Sequence, residues 1–115
     1  MPFTLAIWNI NSVRLRAGLV ARLLTEEAPD ILCLQEIKTP LDKFPEDFAA
    51  LGYPHIVARG QKGYNGVAIL SRLPLEDAGD IDFAGLGHAR HVAARLDSGV
   101  VIHNVYVPAG GDIPD

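Results

Sequence analysis

The 115-residue chain has one cysteine, Cys33, so no internal disulfide can staple it. Cys33 falls in the apolar run ILCLQ with nothing basic beside it, which suits a small buried hydrophobe rather than a reactive thiol. No apolar run approaches the ~18–20 residues of a membrane span. The start, MPFTLAIWN, lacks a basic region and a small-residue cleavage site, so no secretory signal is read. The expected location is the cytoplasm, with no membrane partner. An excess of positive charge is also missing, the formal net charge being −4. A protein that bound mainly by neutralising phosphates would be basic, so a generic nucleic-acid coat is disfavoured. An enzyme holding a cation over one phosphate is less affected, because carboxylates gathered round a metal lower the net charge. Zinc spacing and a Ser-His-Asp order are absent: the four histidines form no HxxxH pair, and His88 and His91 sit in a Gly-rich region. GQKGYNG lacks the Walker spacing, so a P-loop is rejected.

What remains is a globular composition, 49% apolar and 21% charged, long enough for one modest domain with a core. Phe3 to Asn9 reads as a strand, with Asn11-Ser12 ending it and capping the next element. From Val13 to Glu27 the period becomes helical, with Leu15, Leu19 and Leu23 plus Val20 and Leu24 on one stripe. Ala28-Pro29-Asp30 stops the helix. Ile31 to Gln35 shows no alternation, as expected of a strand covered on both faces. The first third is therefore β-α-β, with a parallel pair and a right-handed crossover. Thr39 to Lys43 reads as a polar loop, and EDFAAL as a short helix after Pro45, closed by Gly52. Pro54 to Arg59 and Val67 to Ser71 form one predicted hairpin, His91 to Leu96 and Val100 to Val107 another. Leu73 to Gly87 reads as surface, the acidic pairs as solvated, and Phe3, Trp8 and the leucine stripe as core. Two short helices cannot cover such a sheet, so an exposed apolar face is expected, to be met by a partner or by a further C-terminal half.

The candidate chemistry lies at strand ends. Glu36 follows the buried strand at its C-terminal edge, where ligands collect in open α/β sheets. Taken alone it is a solvated strand end or a hard oxygen ligand for Mg²⁺ or Mn²⁺. Asn9 ends the first strand, Lys62, Tyr64 and Asn65 lie on the first hairpin loop, and Tyr106 is near the end of the last strand. A tyrosine in an apolar strand is usually core, and Lys62 and Arg90 read first as solvated charges. Together, however, a carboxylate, amides, a phenol and an ammonium suit phosphoryl transfer by positioning and electrostatics.

Four segments in order, WNINSVRLR, LQEIK, GQKGYNGVAIL and NVYVPAG, resemble the N-terminal half of the exonuclease III class of apurinic/apyrimidinic endonucleases, within the endonuclease/exonuclease/phosphatase superfamily. The resemblance implies an α/β fold, about half of a four-layer α/β sandwich of mixed sheet with flanking helices. Residues 1–115 would be the N-terminal half of a single domain, its C-terminal half absent from this chain. It also implies a Mg²⁺- or Mn²⁺-dependent DNA phosphodiesterase of base-excision repair, an abasic-site endonuclease and 3′–5′ exonuclease. The partner would be double-stranded DNA with abasic sites or 3′ ends, and the full-length protein a monomer. By resemblance, Asn9 positions phosphate and water beside the metal, Glu36 binds the cation, and Tyr106 approaches the scissile phosphate. Asn11, Arg14 and Lys38 fall in or beside the same motifs, Lys62, Tyr64 and Asn65 match a DNA-facing loop, and Arg90 in GHARHVA resembles an arginine near the site. The family's water-activating aspartates and its Asp-His pair have no counterpart here. The alternatives are an inactive half-domain that binds DNA or protein, and a phosphoesterase of the same superfamily acting on lipid or nucleotide.

Overall fold

Burial on both faces of Ile31–Gln35 organises the molecule. The computed structural model describes residues 3–61, 63, 65–81 and 87–107. In it β2 (Ile31–Gln35) is buried at all five positions. β1 (Leu5–Asn9) runs parallel to it, and β4 (Val67–Ser71) runs antiparallel on its other side, followed by β3 (His55–Arg59). The order of this sheet is β1-β2-β4-β3. Its two faces have different partners, because alternate side chains of a strand point opposite ways. Leu32, Leu34, Ala68 and Leu70 pack with Val20 and Leu24 of α1 (Ala17–Glu26) and Phe48 of α2 (Asp47–Ala50). Ile31, Cys33, Val67 and Ile69 pack instead on Val92, Ala94, Leu96 and Ile102 of a second sheet. That sheet is the antiparallel meander β5 (Leu75–Gly79), β6 (His91–Leu96) and β7 (Val101–Val105). The layers are thus helix, sheet, sheet. Burial pushes the Cys33 thiol up to about 11, as expected of a packing residue. Among the described residues no helix is long and apolar enough to cross a membrane.

Several expectations need correction. The helix starts at Ala17, not Val13. Asn11 and Ser12 take left-handed φ of 49° and 84°, and the Val13 N–H is tied to the Ile37 carbonyl, so the chain turns before it can wind. The stripe is displaced as a result: Val20 and Leu24 are buried, while Leu15 and Leu19 are 76% and 50% exposed. β1 begins at Leu5 rather than Phe3; Thr4 just before it exchanges hydrogen bonds with Asp30, and its carbonyl accepts the Ile31 N–H. Trp8 and Phe3 are half-buried at the margins of the two clusters rather than central. A 3₁₀ turn, Leu41–Lys43, interrupts the expected polar loop.

β5 is a strand where surface alone was expected. Its polar side chains hid it, and they are paired rather than merely solvated. Asp77 accepts both ends of the Arg59 guanidinium from β3, at 2.9 Å each, clamping one sheet to the other, and Glu76 pairs with Arg95 of β6. The expected open apolar face is present. Leu5 and Ile7, in register with Ile31 and Cys33, lie on the face turned toward the second sheet yet are 43% and 67% exposed. Val101, Val105 and Val107 on and beyond β7 are exposed as well.

One polar cluster crosses between the sheets. Asn104 of β7 is buried, and its Nδ2 donates to the carbonyls of Leu34 and Ala68 at 2.9 and 2.8 Å. Its Oδ1 accepts from Gln35 Nε2 at 2.7 Å. All of this lies directly beneath the C-terminal ends of β1 and β2. Removing one amide strands several buried groups, each at a cost of about 1–3 kcal/mol. Asn104→Leu should therefore lower unfolding free energy by about 2–4 kcal/mol, read from urea denaturation, despite its added apolar surface.

Candidate active site

The chain emerges from the C-terminal ends of β1 and β2 through backbone that few side chains tolerate. Among the described residues, six non-glycines have positive φ: Asn11, Ser12, Ala28, Glu36, Lys38 and Asn65. All but Ala28 belong to this one rim. Left-handed backbone at such positions costs of the order of 1–3 kcal/mol each, and clusters of it mark functional sites. The conformations are held by hydrogen bonds that continue past the strand ends. Ser12 and Val13 N–H groups donate to Glu36 and Ile37 carbonyls at 2.7 and 3.0 Å. Ile37 and Lys38 donate to Gly66 and Asn65 at 3.1 and 2.9 Å. Gly66 donates to Ala89, and Tyr106 to the Arg90 carbonyl, both at 2.7 Å. The loops after β1, β2, β3 and β7, and the segment before β6, are thereby tied side by side.

Two glycines permit this closeness. A side chain at Gly60 would meet the Thr39 carbonyl oxygen at 2.7 Å and the Leu41 nitrogen at 2.8 Å. One at Gly66, whose φ is +91°, would meet Ile37 Cγ1 at 2.5 Å.

On this frame the side chains converge. Asn9 lies in register with Gln35, so it and Glu36 share the same end of the sheet. Asn9 is exposed and hydrogen-bonds no described residue, whereas Glu36 is only half-exposed. Lys38 Nζ donates to Asn11 Oδ1 and stands 3.6 Å from Glu36 Oε1, a loose ion pair that bridges the first two loops. Tyr106 brings its phenol to Glu36 from the second sheet. Burial first, then the Glu36 charge, raise the Tyr106 pKa, with hydrogen bonding to that carboxylate adding a smaller part and Arg90 opposing it. The phenol is therefore a protonated donor at neutral pH. Arg90 donates through Nε to Asn65 Oδ1 at 3.2 Å.

Glu36, Lys38, Asn11, Asn65, Arg90 and Tyr106 thus meet, with Asn9 at their margin. Arg14 is exposed and pairs with no described side chain, and Lys62 and Tyr64 lie outside the described residues. Gln61 is a component that sequence reading passed over. Its Oε1 accepts from both Asn65 Nδ2 and the Ala89 N–H, at 3.0 and 2.9 Å. Only its place in a loop bracketed by Gly60 and Gly63 hinted at a fixed conformation. Among the described residues no group of three or more His, Cys, Asp or Glu could hold a metal ion. A single part-shielded carboxylate, already loosely paired, does suit a hard cation that takes its other ligands from water and phosphate. It does not suit zinc, which takes at least three protein ligands, most of them Cys or His.

Residues 6–113 match the endonuclease/exonuclease/phosphatase family model. Exodeoxyribonuclease III of Haemophilus influenzae is 39% identical over 66 residues, 56% of this chain and 24% of that protein. Recombination repair protein 1 of Drosophila melanogaster is 38% identical over 117 residues, 95% of this chain and 17% of that protein. Among solved structures, an AP endonuclease from Archaeoglobus fulgidus aligns with a TM-score of 0.86 and 41% identity, covering 97% of this chain and 44% of that one. A 3′ phosphatase from Neisseria bound to product DNA hairpin aligns with a TM-score of 0.79 and 40% identity, covering 91% and 41%. The chain thus spans less than half the length of these relatives.

The geometry makes two predictions. Glu36→Gln removes the anion that opposes phenolate, so Tyr106 should ionise at lower pH than in the unaltered protein, while Arg90→Ala should move it higher. Carbon NMR of the tyrosine ring reads both. Gly66→Ala should destabilise the fold by about 1–3 kcal/mol in urea denaturation, because a left-handed backbone acquires a side chain against Ile37.

Proposed function

Because the chain belongs to the endonuclease/exonuclease/phosphatase family, we propose that it is the N-terminal half of one catalytic domain that hydrolyses DNA phosphodiesters. The substrate is duplex DNA with abasic sites or 3′ ends. The observation that carries this reading is the convergence of Glu36, Tyr106, Lys38 and Arg90 on one strained rim. The names of the similar proteins, an AP endonuclease, an exodeoxyribonuclease III and a 3′ phosphatase with product DNA, support the substrate class.

Each group has a task that its environment suits. Glu36 would hold Mg²⁺ or Mn²⁺, with Asn9 alongside; when bound, the cation supplies Lewis-acid polarisation of a phosphate oxygen. Tyr106, kept protonated, donates a hydrogen bond to a non-bridging phosphate oxygen. Arg90 offers its terminal guanidinium nitrogens to the same group, where planar two-point recognition of phosphate is strong. Lys38 adds positive charge next to Glu36, and Asn11 fixes where that ammonium stands. Asn9 orients the phosphate or the attacking water. Arg14, which is exposed, would meet the DNA backbone, while the buried Asn65 acts by holding Arg90. A few aimed cations thus act on one phosphate, which fits an acidic chain better than broad charge neutralisation does. The base that activates water comes from the rest of the domain, whose apolar surface covers Leu5, Ile7 and Val105.

A second reading, a half-domain that binds without catalysis, is favoured by the single carboxylate at the rim among the described residues. The test is cleavage of an abasic duplex by the protein that the complete reading frame encodes, with Mg²⁺ or with chelator. Chelation and Glu36→Ala should each abolish cleavage, and Tyr106→Phe should lower kcat about 10²-fold with little change in KM. Cleavage that survives both chelation and Glu36→Ala overturns the proposal. Absent cleavage, with no Mg²⁺ effect on folding, supports the second reading.

A further inference from the structure

Gln61 is built into the rim more firmly than a loop residue needs to be. Its backbone N–H donates to the Thr39 carbonyl at 3.1 Å, and the preceding Gly60 packs so tightly on residues 39–41 that no side chain fits there. The start of the loop is therefore fixed before the Gln61 side chain is considered. That side chain then uses its oxygen twice, on Asn65 Nδ2 and on the Ala89 N–H. A carbonyl oxygen has two lone pairs, so its acceptor capacity is fully used.

The consequence passes through Asn65. This residue is buried and left-handed, so its side chain has little freedom. With Nδ2 committed to Gln61, its Oδ1 is the end turned to Arg90, and it accepts from Arg90 Nε. Holding an arginine by Nε leaves its two terminal nitrogens for a ligand. The second arm of Gln61 fixes the backbone immediately before Arg90, where the Ala89 carbonyl also receives the Gly66 N–H. Gln61 therefore holds Arg90 from both sides without touching it.

We propose that Gln61 is a positioning residue, whose side-chain oxygen sets the aim of the Arg90 guanidinium at the phosphate through Asn65 and the Ala89 N–H. This rests on the phosphodiesterase reading for its catalytic consequence but not for its structural part. What matters is an acceptor oxygen, so Gln61→Glu should preserve the arrangement and Gln61→Met should lose it.

Two measurements separate the parts. The Arg90 Nε–H resonance should exchange slowly with solvent in the unaltered protein and in Gln61→Glu, and rapidly in Gln61→Met. This holds whether or not the protein cleaves DNA, so an inactive protein would sink the functional reading and leave this test standing. In the protein from the complete reading frame, Gln61→Met should lower kcat/KM on abasic duplex about 10²-fold, and Gln61→Glu should restore most of it. In an Arg90→Ala background the same Gln61→Met change should have little further effect, because both alter one interaction. Gln61→Ala serves as the second variant should Gln61→Met not fold. Unchanged Arg90 Nε–H exchange in the Met or Ala variant, or losses that multiply in the Arg90→Ala background, would overturn the proposal.

Discussion

The structure depends on a belt of backbone hydrogen bonds that runs on after the strands have ended. Strand pairing alone would bring Asn9 and Gln35 side by side and leave the loops beyond them free. Instead the bonds from Ser12 and Val13 to Glu36 and Ile37, and onward to Asn65, Gly66, Ala89 and Arg90, extend the order outward from the sheets. Five left-handed residues are stable only because this belt over-determines them. It also joins the two sheets at the rim, just as Asn104 joins them one layer below. The polar groups of the rim come from both sheets, and this belt brings them together.

Much of the fold was readable because its signals are local. The unbroken apolar run of β2, the turn before β4 and the Asp97-Ser98-Gly99 turn between β6 and β7 each declare themselves within a few residues. The failures have a common origin in distant contacts. Leu15 and Leu19 fit a helical stripe perfectly well, yet the bond from Val13 to Ile37 delays the helix and rotates them away from the core. β5 looked like surface because Glu76 and Asp77 are acidic, and their partners Arg95 and Arg59 are 18 or more residues away. Asn9, Glu36 and Tyr106 stood out as polar groups at strand ends. Gln61 did not, because its importance lies in two bonds to residues that pattern alone cannot place.

Charge is distributed with similar economy. The chain is acidic as a whole, and several carboxylates are consumed in ion pairs with Arg22, Arg59 and Arg95 away from the rim. At the rim the close partners of the cations are neutral amides, Asn11 for Lys38 and Asn65 for Arg90, with Glu36 a looser 3.6 Å neighbour of Lys38. An amide fixes the position of a cation without cancelling its charge. Positive charge is therefore kept close to Glu36 and Tyr106.

Among the described residues one side of β1 and the outer edge of β7 are uncovered, and they carry a different message, about company. Leu5 and Ile7 on β1, and Val105 and Val107 on and beyond β7, are exposed apolar side chains at the edge strands of the two sheets, where backbone groups seek partners. Another copy of the chain must find those side chains by diffusion, at whatever concentration the cell or the tube provides. A segment joined to it by a short tether arrives at an effective concentration in the millimolar range. Covalent continuity would therefore protect this surface kinetically, shielding it from self-association before any catalytic benefit is felt.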